Sequence, residues 1–212
     1  MSRRALACAG AALAVTLSAC SSGATASGSS TAGSSSTAAT SAGPAANMPF
    51  GAGCTTVPAD GPGSFAGMST APVAAAAAAN PSLTTLVQAA AAANLVETLN
   101  SQQEVTVLAP ANPAFQAVPA NQLNAVVADV PQLTSILTHH VIQGRLAPGQ
   151  LAGTHTTLNN DQVTIEGSGE SFTISGDQTV TGQPASVVCG NVRTANATIY
   201  IIDQLLKPRA AG

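Results

Sequence analysis

Between residues 70 and 140 the apolar positions recur every three or four residues, which is the spacing of one face of an α-helix. Leu83, Leu86, Val87 and Ala90 form one such face behind Asn80-Pro81, a cap followed by proline in the first turn. Leu123, Val126, Val127 and Val130 form a second behind Pro119, and Leu133, Ile136 and Leu137 form a third behind Pro131. Residues 73–79 are Ala-rich and helix-prone. A short β-type run, Val105-Thr106-Val107-Leu108-Ala109, interrupts the helices, and Pro110 predicts its end. Asn112 is placed to cap a short helix that follows. Later the pattern changes to β-branched runs at 162–166, 171–175, 185–189 and 198–202, punctuated by Gly and Asn. Val192, Ile199 and Ile201 alternate with polar residues, as in a half-buried strand. Helices first and strands later predict an α+β domain, its first-half helices packed on a sheet or wedge from the second half.

The chain before this region has another character. Arg3 and Arg4 precede an apolar run at 5–17, which is too short to span a bilayer and fits the core of an export signal. The run ends in Leu17-Ser18-Ala19-Cys20, which looks like a bacterial lipobox. There the Cys thiol takes a diacylglycerol and becomes the mature N-terminus, and two or more acyl chains hold a protein firmly to a membrane. An ordinary cleaved signal with an incidental Cys is the alternative. The reading is a signal at 1–19 and a lipidated Cys20 opening a flexible linker at 20–53. A lead-in follows at 54–69, then a folded domain at 70–209. The linker is almost all Ser, Thr, Ala and Gly, and as a coil it spans roughly 30 Å. Its Ser/Thr density permits O-glycosylation, with an unmodified spacer as the alternative.

Charge narrows the partners. Charged residues are 7% of the chain and aromatic residues 2%. Without residues 1–19 there are four basic side chains against nine acidic ones. That balance gives no basic face for nucleic acid or anionic lipid.

Four cysteines are present: Cys8, Cys20, Cys54 and Cys189. Cys8 leaves with the signal and Cys20 carries the lipid, so Cys54 and Cys189 remain, in an oxidising compartment where such a pair forms a disulfide. A chain-entropy estimate for so long a loop is about 5 kcal/mol. Metal or redox chemistry is the rival, but neither Cys has a second Cys two or three residues away.

Catalytic motifs are sparse. The sequence has no Gly-x-Ser-x-Gly elbow and no P-loop. Gly61-Pro62-Gly63-Ser64-Phe65-Ala66 mimics a dinucleotide loop but follows no strand and reads as a turn. His139 and His140 are adjacent, and on a strand they would point to opposite faces and could not grip one metal. His155 stands alone on a polar stretch. Asn196-Ala197-Thr198 is a glycosylation sequon on a predicted strand and reads as structural. No cofactor, metal site or catalytic residue is expected.

Three segments resemble the fasciclin (FAS1) domain family. Thr106-Val107-Leu108-Ala109-Pro110-Ala111-Asn112-Pro113-Ala114-Phe115 is similar to its first signature. Residues 133–142, ending His139-His140-Val141-Ile142, resemble its central Tyr-His-Val segment. Residues 191–203, followed by Leu205-Leu206-Lys207-Pro208, resemble its last signature. The resemblance covers about 70–208. With the lipobox, linker, Cys54 and Cys189, it comes nearest to the secreted and lipoprotein antigens of mycobacteria. It implies a non-enzymatic adhesion or interaction module on the outer membrane face, with some shedding as an open alternative and an unknown surface, matrix or host protein as partner. A carrier or sensor of a small apolar molecule or lipid is the alternative function. The resemblance also ties the Tyr-His pair to adhesion. Here His139 replaces the Tyr, so His139 and His140 stand as candidate interaction residues, against a reading of His140 as buried and structural.

Overall fold

Alanine, leucine and valine dominate the stretch after residue 70, and caps borrowed from distant loops convert that propensity into short helices. The computed structural model describes residues 48–208. Its helices are α1 (Phe65–Thr70), α2 (Val73–Ala79), α3 (Thr84–Ala92), α4 (Val96–Ser101), α5 (Asn112–Gln116), α6 (Ala120–Ala128), α7 (Val130–His139) and α8 (Pro148–Leu151). Its strands are β1 (Val105–Pro110), β2 (Val141–Gln143), β3 (Gly153–Thr156), β4 (Gln162–Ser168), β5 (Ser171–Ile174), β6 (Ala185–Arg193) and β7 (Ala197–Ile202).

Half of the helix starts, those of α1, α2, α3 and α7, carry a side-chain acceptor for an orphan N–H. Ser64 Oγ accepts from Gly67 N (3.1 Å) at α1, and Asp129 Oδ1 accepts from Gln132 N (3.1 Å) at α7. Asn80 caps the 3₁₀ turn at Pro81–Leu83 that leads into α3. The start of α3 itself is capped from another element: Asn112 Oδ1 accepts from Thr85 N (3.0 Å). Asn112 therefore caps α3, whereas its own helix α5 has Ala111 at the cap and no side-chain bond there. The reason is direction: the Asn112 amide points across to the 3₁₀ turn, where its Nδ2 also donates to Pro81 O (2.9 Å).

The strands form one seven-stranded sheet in the order β2-β1-β7-β6-β5-β4-β3. β1 and β7 pair in parallel, with Val107 opposite Ile199, and the other pairs are antiparallel. A bridge between Ile142 and Thr157 brings the two sheet edges together, so the sheet curls into a near-barrel.

Alternation assigns the faces. Leu108, Tyr200 and Ile202 point into the barrel beside Ile165, Phe172 and Ile174. Val107, Ile199 and Ile201 point to the outer face, under α1 and α2, with Met68, Val73 and Ala76. β7 is thus buried on both faces, not half-buried as its polar alternation predicted. Thr198 sits in it fully covered because β1 and β6 flank the strand. β6 changes faces midway. One-residue bulges between Val187 and Cys189, and between Cys189 and Val192, move it from the barrel interior to the helix side. Cys189 consequently faces Cys54, and the two form a disulfide across a sequence separation of 135 with Cα atoms 4.8 Å apart.

The fold begins earlier than the expected residue 70. Phe50, placed in the linker by its neighbours' composition, pairs with Gly190 through two backbone bonds (3.1 and 2.8 Å). Its ring packs against Phe172 and Tyr200 at centroid distances of 5.9 and 6.3 Å. Val57 and Met68 in the lead-in are buried too. The apolar clusters all draw on residues within 50–206, so this unit carries its own core. Among the described residues no helix is long and apolar enough to cross a membrane.

Candidate functional site: a sealed histidine pair and an apolar cavity

The adjacent imidazoles lie at the end of a helix, which corrects the strand placement drawn from sequence. His139 ends α7 and His140 is its C-cap, and both are buried, with 1% of their surface exposed. Helical geometry turns the rings about 89° apart and sends them to different partners. His140 Nδ1 donates to Ile136 O (2.8 Å), and its Nε2 accepts from Leu206 N (3.0 Å). These partners fix the neutral Nδ1–H tautomer. Burial pushes the His140 pKa down to about 3, the bond to Ile136 opposing that shift. The ring thereby locks the C-terminal segment, where Thr179 bridges Leu206, onto the end of α7.

His139 Nδ1 donates to Asp161 Oδ1 (2.7 Å). The same carboxylate accepts from Thr157 Oγ1 and from Asn159 Nδ2 (3.0 Å). Burial alone would raise the pKa of Asp161, but the bonds from Thr157, Asn159 and His139 outweigh it and hold the carboxyl below its ordinary range. Asn159 Oδ1 in turn accepts from Ser135 Oγ (3.1 Å) on α7. The cluster staples α7 to the loop after β3. His139 Nε2 has no hydrogen-bond partner and is sealed from solvent, so a solvent-borne substrate does not reach it. Among the described residues no three His, Cys, Asp or Glu side chains gather to hold a metal. As buried groups, His139 and His140 reach a partner only through the backbone they position.

The other sequence-marked residues are scattered. His155 donates from Nε2 to Leu151 O (2.9 Å). The turn at 61–66 serves to start α1, and Gly63 is needed there because a Cβ would lie 2.2 Å from Ala79 O. Asn196 of the sequon is a structural hub. Its Oδ1 accepts from Val73 N (2.8 Å), which caps α2, and its Nδ2 donates to Leu99 O (2.9 Å) and Gln102 O (2.8 Å) at the end of α4. That amide is buried and fully engaged, so a glycan has no access to it. Cys20 and the expected linker up to residue 47, with the Ser/Thr-rich stretch whose density permits O-glycosylation, lie outside the described residues.

A cavity missed by sequence reasoning lies between α3, α6 and α7. It measures about 150 Å³ and is walled by Ala89, Phe115, Leu133, Ile136 and Leu137. α6 roofs it with Leu123 and Val126, yet α6 has no buried residue of its own. Val127 at its rim and Val130 at the start of α7, both expected to face inward, are each 43% exposed. The i, i+3, i+4, i+7 pattern was present, but α6 meets the core through Leu123 and Val126, and the rest of the stripe stays exposed.

Comparison with known proteins places this arrangement. Residues 81–208 match the family model for the fasciclin domain. The chain is 44% identical over 168 residues to the immunogenic protein MPB70 of Mycobacterium bovis, covering 76% of this chain and 82% of that one. It is 41% identical over 177 residues to the cell surface glycolipoprotein MPB83 of the same organism, covering 80% and 76%. The structure also matches a FAS1 domain pair from the insect cell adhesion molecule fasciclin I. That match has a TM-score of 0.51 and 14% identity, covers 68% of this chain and 52% of that one, and bears on the fold alone. The signatures at 106–115, 133–142 and 191–203, the curled sheet and the shared length together make this chain a member of the fasciclin domain family.

Proposed function

We propose that this chain is an exported lipoprotein, held to the outer face of the cell membrane by lipid on Cys20, which presents one fasciclin domain to another surface, matrix or host protein. One combination carries the reading. Leu17-Ser18-Ala19-Cys20 closes an apolar run in a chain 41% identical to a protein named a cell surface glycolipoprotein. The geometry supports display over chemistry, because His139, His140 and Asp161 are buried and committed to bonds that hold α7 in place. A domain of this kind acts through its outer surface, on a linker long enough to stand clear of the headgroups.

Intact-mass analysis of the membrane fraction tests the tether. The expected species begins at Cys20 and carries acyl mass. A mature chain beginning elsewhere, or lacking that mass, refutes it. Cross-linking on intact cells tests the display: a reproducible protein adduct is expected, and a chain that cross-links only to itself refutes the role.

A further inference from the structure

We propose that the cavity beneath α6 binds the end of a single unbranched hydrocarbon chain, with α6 as its movable roof. The cavity is about 150 Å³, a size at which an apolar void stays dry and takes up a small hydrocarbon. Its wall is mostly aliphatic, with the Phe115 ring, and contains no charged side chain. Thr85 and Gln88 are the polar side chains of the lining, and Gln88 is exposed at the mouth. A ligand with an internal polar group would be left unpaired inside, whereas an alkyl end fits and its head stays at the mouth, in water.

The roof is built to move. α6 has no fully buried residue and meets the core through two half-buried side chains, Leu123 and Val126, so it opens at lower cost than α3 and α7, which bury several of theirs. Pro119 and Asp129 bound it with extended backbone, and these are the two places where a swing can be absorbed. A second copy of the chain is the weaker occupant. Val127 at the rim is exposed, as is Val130 at the start of α7, and together they make a patch far smaller than the roughly 800 Å² per partner that a stable dimer buries.

The test uses the unit from residue 48 onward, which carries its own core, with ¹³C-labelled methyl groups, titrated with monomeric decanoate. Saturable shifts are expected at Val126, Leu133, Ile136 and Leu137, with the barrel residues Ile165 and Ile174 unmoved. Ala89→Leu fills the cavity and is expected to weaken binding at least tenfold. No saturable shift, or shifts centred on the barrel, overturns the proposal whatever the variant does. Unchanged affinity in a folded Ala89→Leu protein also overturns it. So does a dimer that Val127→Gln dissociates while decanoate has no effect, which would assign the face to a second copy.

Discussion

Lowering the pH from about 7.5 to about 4.5 puts a proton on His140 in the unfolded chain but not in the folded one. The folded ring is held neutral by burial, with a pKa of about 3 against an ordinary 6.5. Its two nitrogens are already used, one as donor to Ile136 O and one as acceptor from Leu206 N. The stability that depends on the neutral ring is complete above 6.5 and is lost as the pH falls towards 3. Each pH unit inside that window costs about 1.4 kcal/mol, so the loss by pH 4.5 is on the order of 3 kcal/mol. Over the whole window it approaches roughly 5 kcal/mol, a large part of the 5–15 kcal/mol typical of a domain. The assay is urea unfolding at a series of pH values for the natural chain and for His140→Gln. The variant lacks the titration but leaves a buried group unpaired, a cost of about 1–3 kcal/mol that does not vary with pH. Its deficit relative to the natural chain should therefore shrink by about 3 kcal/mol between the two pH values. Asp161 lies below its ordinary 3.8, so its stability is lost only as the pH falls further, outside this comparison. A deficit that stays constant across the series would refute the reasoning.

Asn196→Ala removes an amide that caps α2 and ties down the end of α4, so unfolding should show a loss of about 3 kcal/mol; a loss below about 1 kcal/mol contradicts the hub. Replacing Cys54 and Cys189 together with Ser opens a 135-residue loop and should cost about 2–5 kcal/mol in the same assay. Asn112→Ala should cost about 1 kcal/mol, with faster hydrogen exchange at Thr85 in α3 and no change in α5. Gly190→Ala would place a Cβ 2.3 Å from the Phe50 ring, so limited proteolysis should cut near Met48 and Phe50 while the rest of the domain stays protected.

Periodicity made much of the fold legible. α3, α7, β1, β5 and β7 lie where apolar spacing put them, and Leu133, Ile136 and Leu137 are buried as expected. The segments at 106–115, 133–142 and 191–203 pointed to the family, whose model matches residues 81–208. Short, polar or glycine-punctuated elements were not legible. β2 has three residues, and β3 reads Gly-Thr-His-Thr with no apolar side chain, so neither has a burial pattern to read. Phe50 was hidden by the composition around it, because one aromatic among small residues looks like a linker until Gly190 offers the space for its ring. The side of β6 on which Cys189 falls depends on two bulges, which no alternation rule announces. The cavity depends on how far α6 stands from α3 and α7, a distance that helical periodicity does not encode.

The stitch at Phe50 and the disulfide behind it also decide how the domain answers a mechanical load. A pull on the chain ahead of Met48 first peels the two backbone bonds between Phe50 and Gly190. Four residues later it meets Cys54, and the covalent bond passes the force directly to Cys189 in β6. Unravelling from that end then stops, because Cys54 cannot be drawn away from the sheet while the disulfide is intact. A yielding first step followed by a hard stop is the response of a tethered anchor point, and reduction of one bond would convert it into a ripcord.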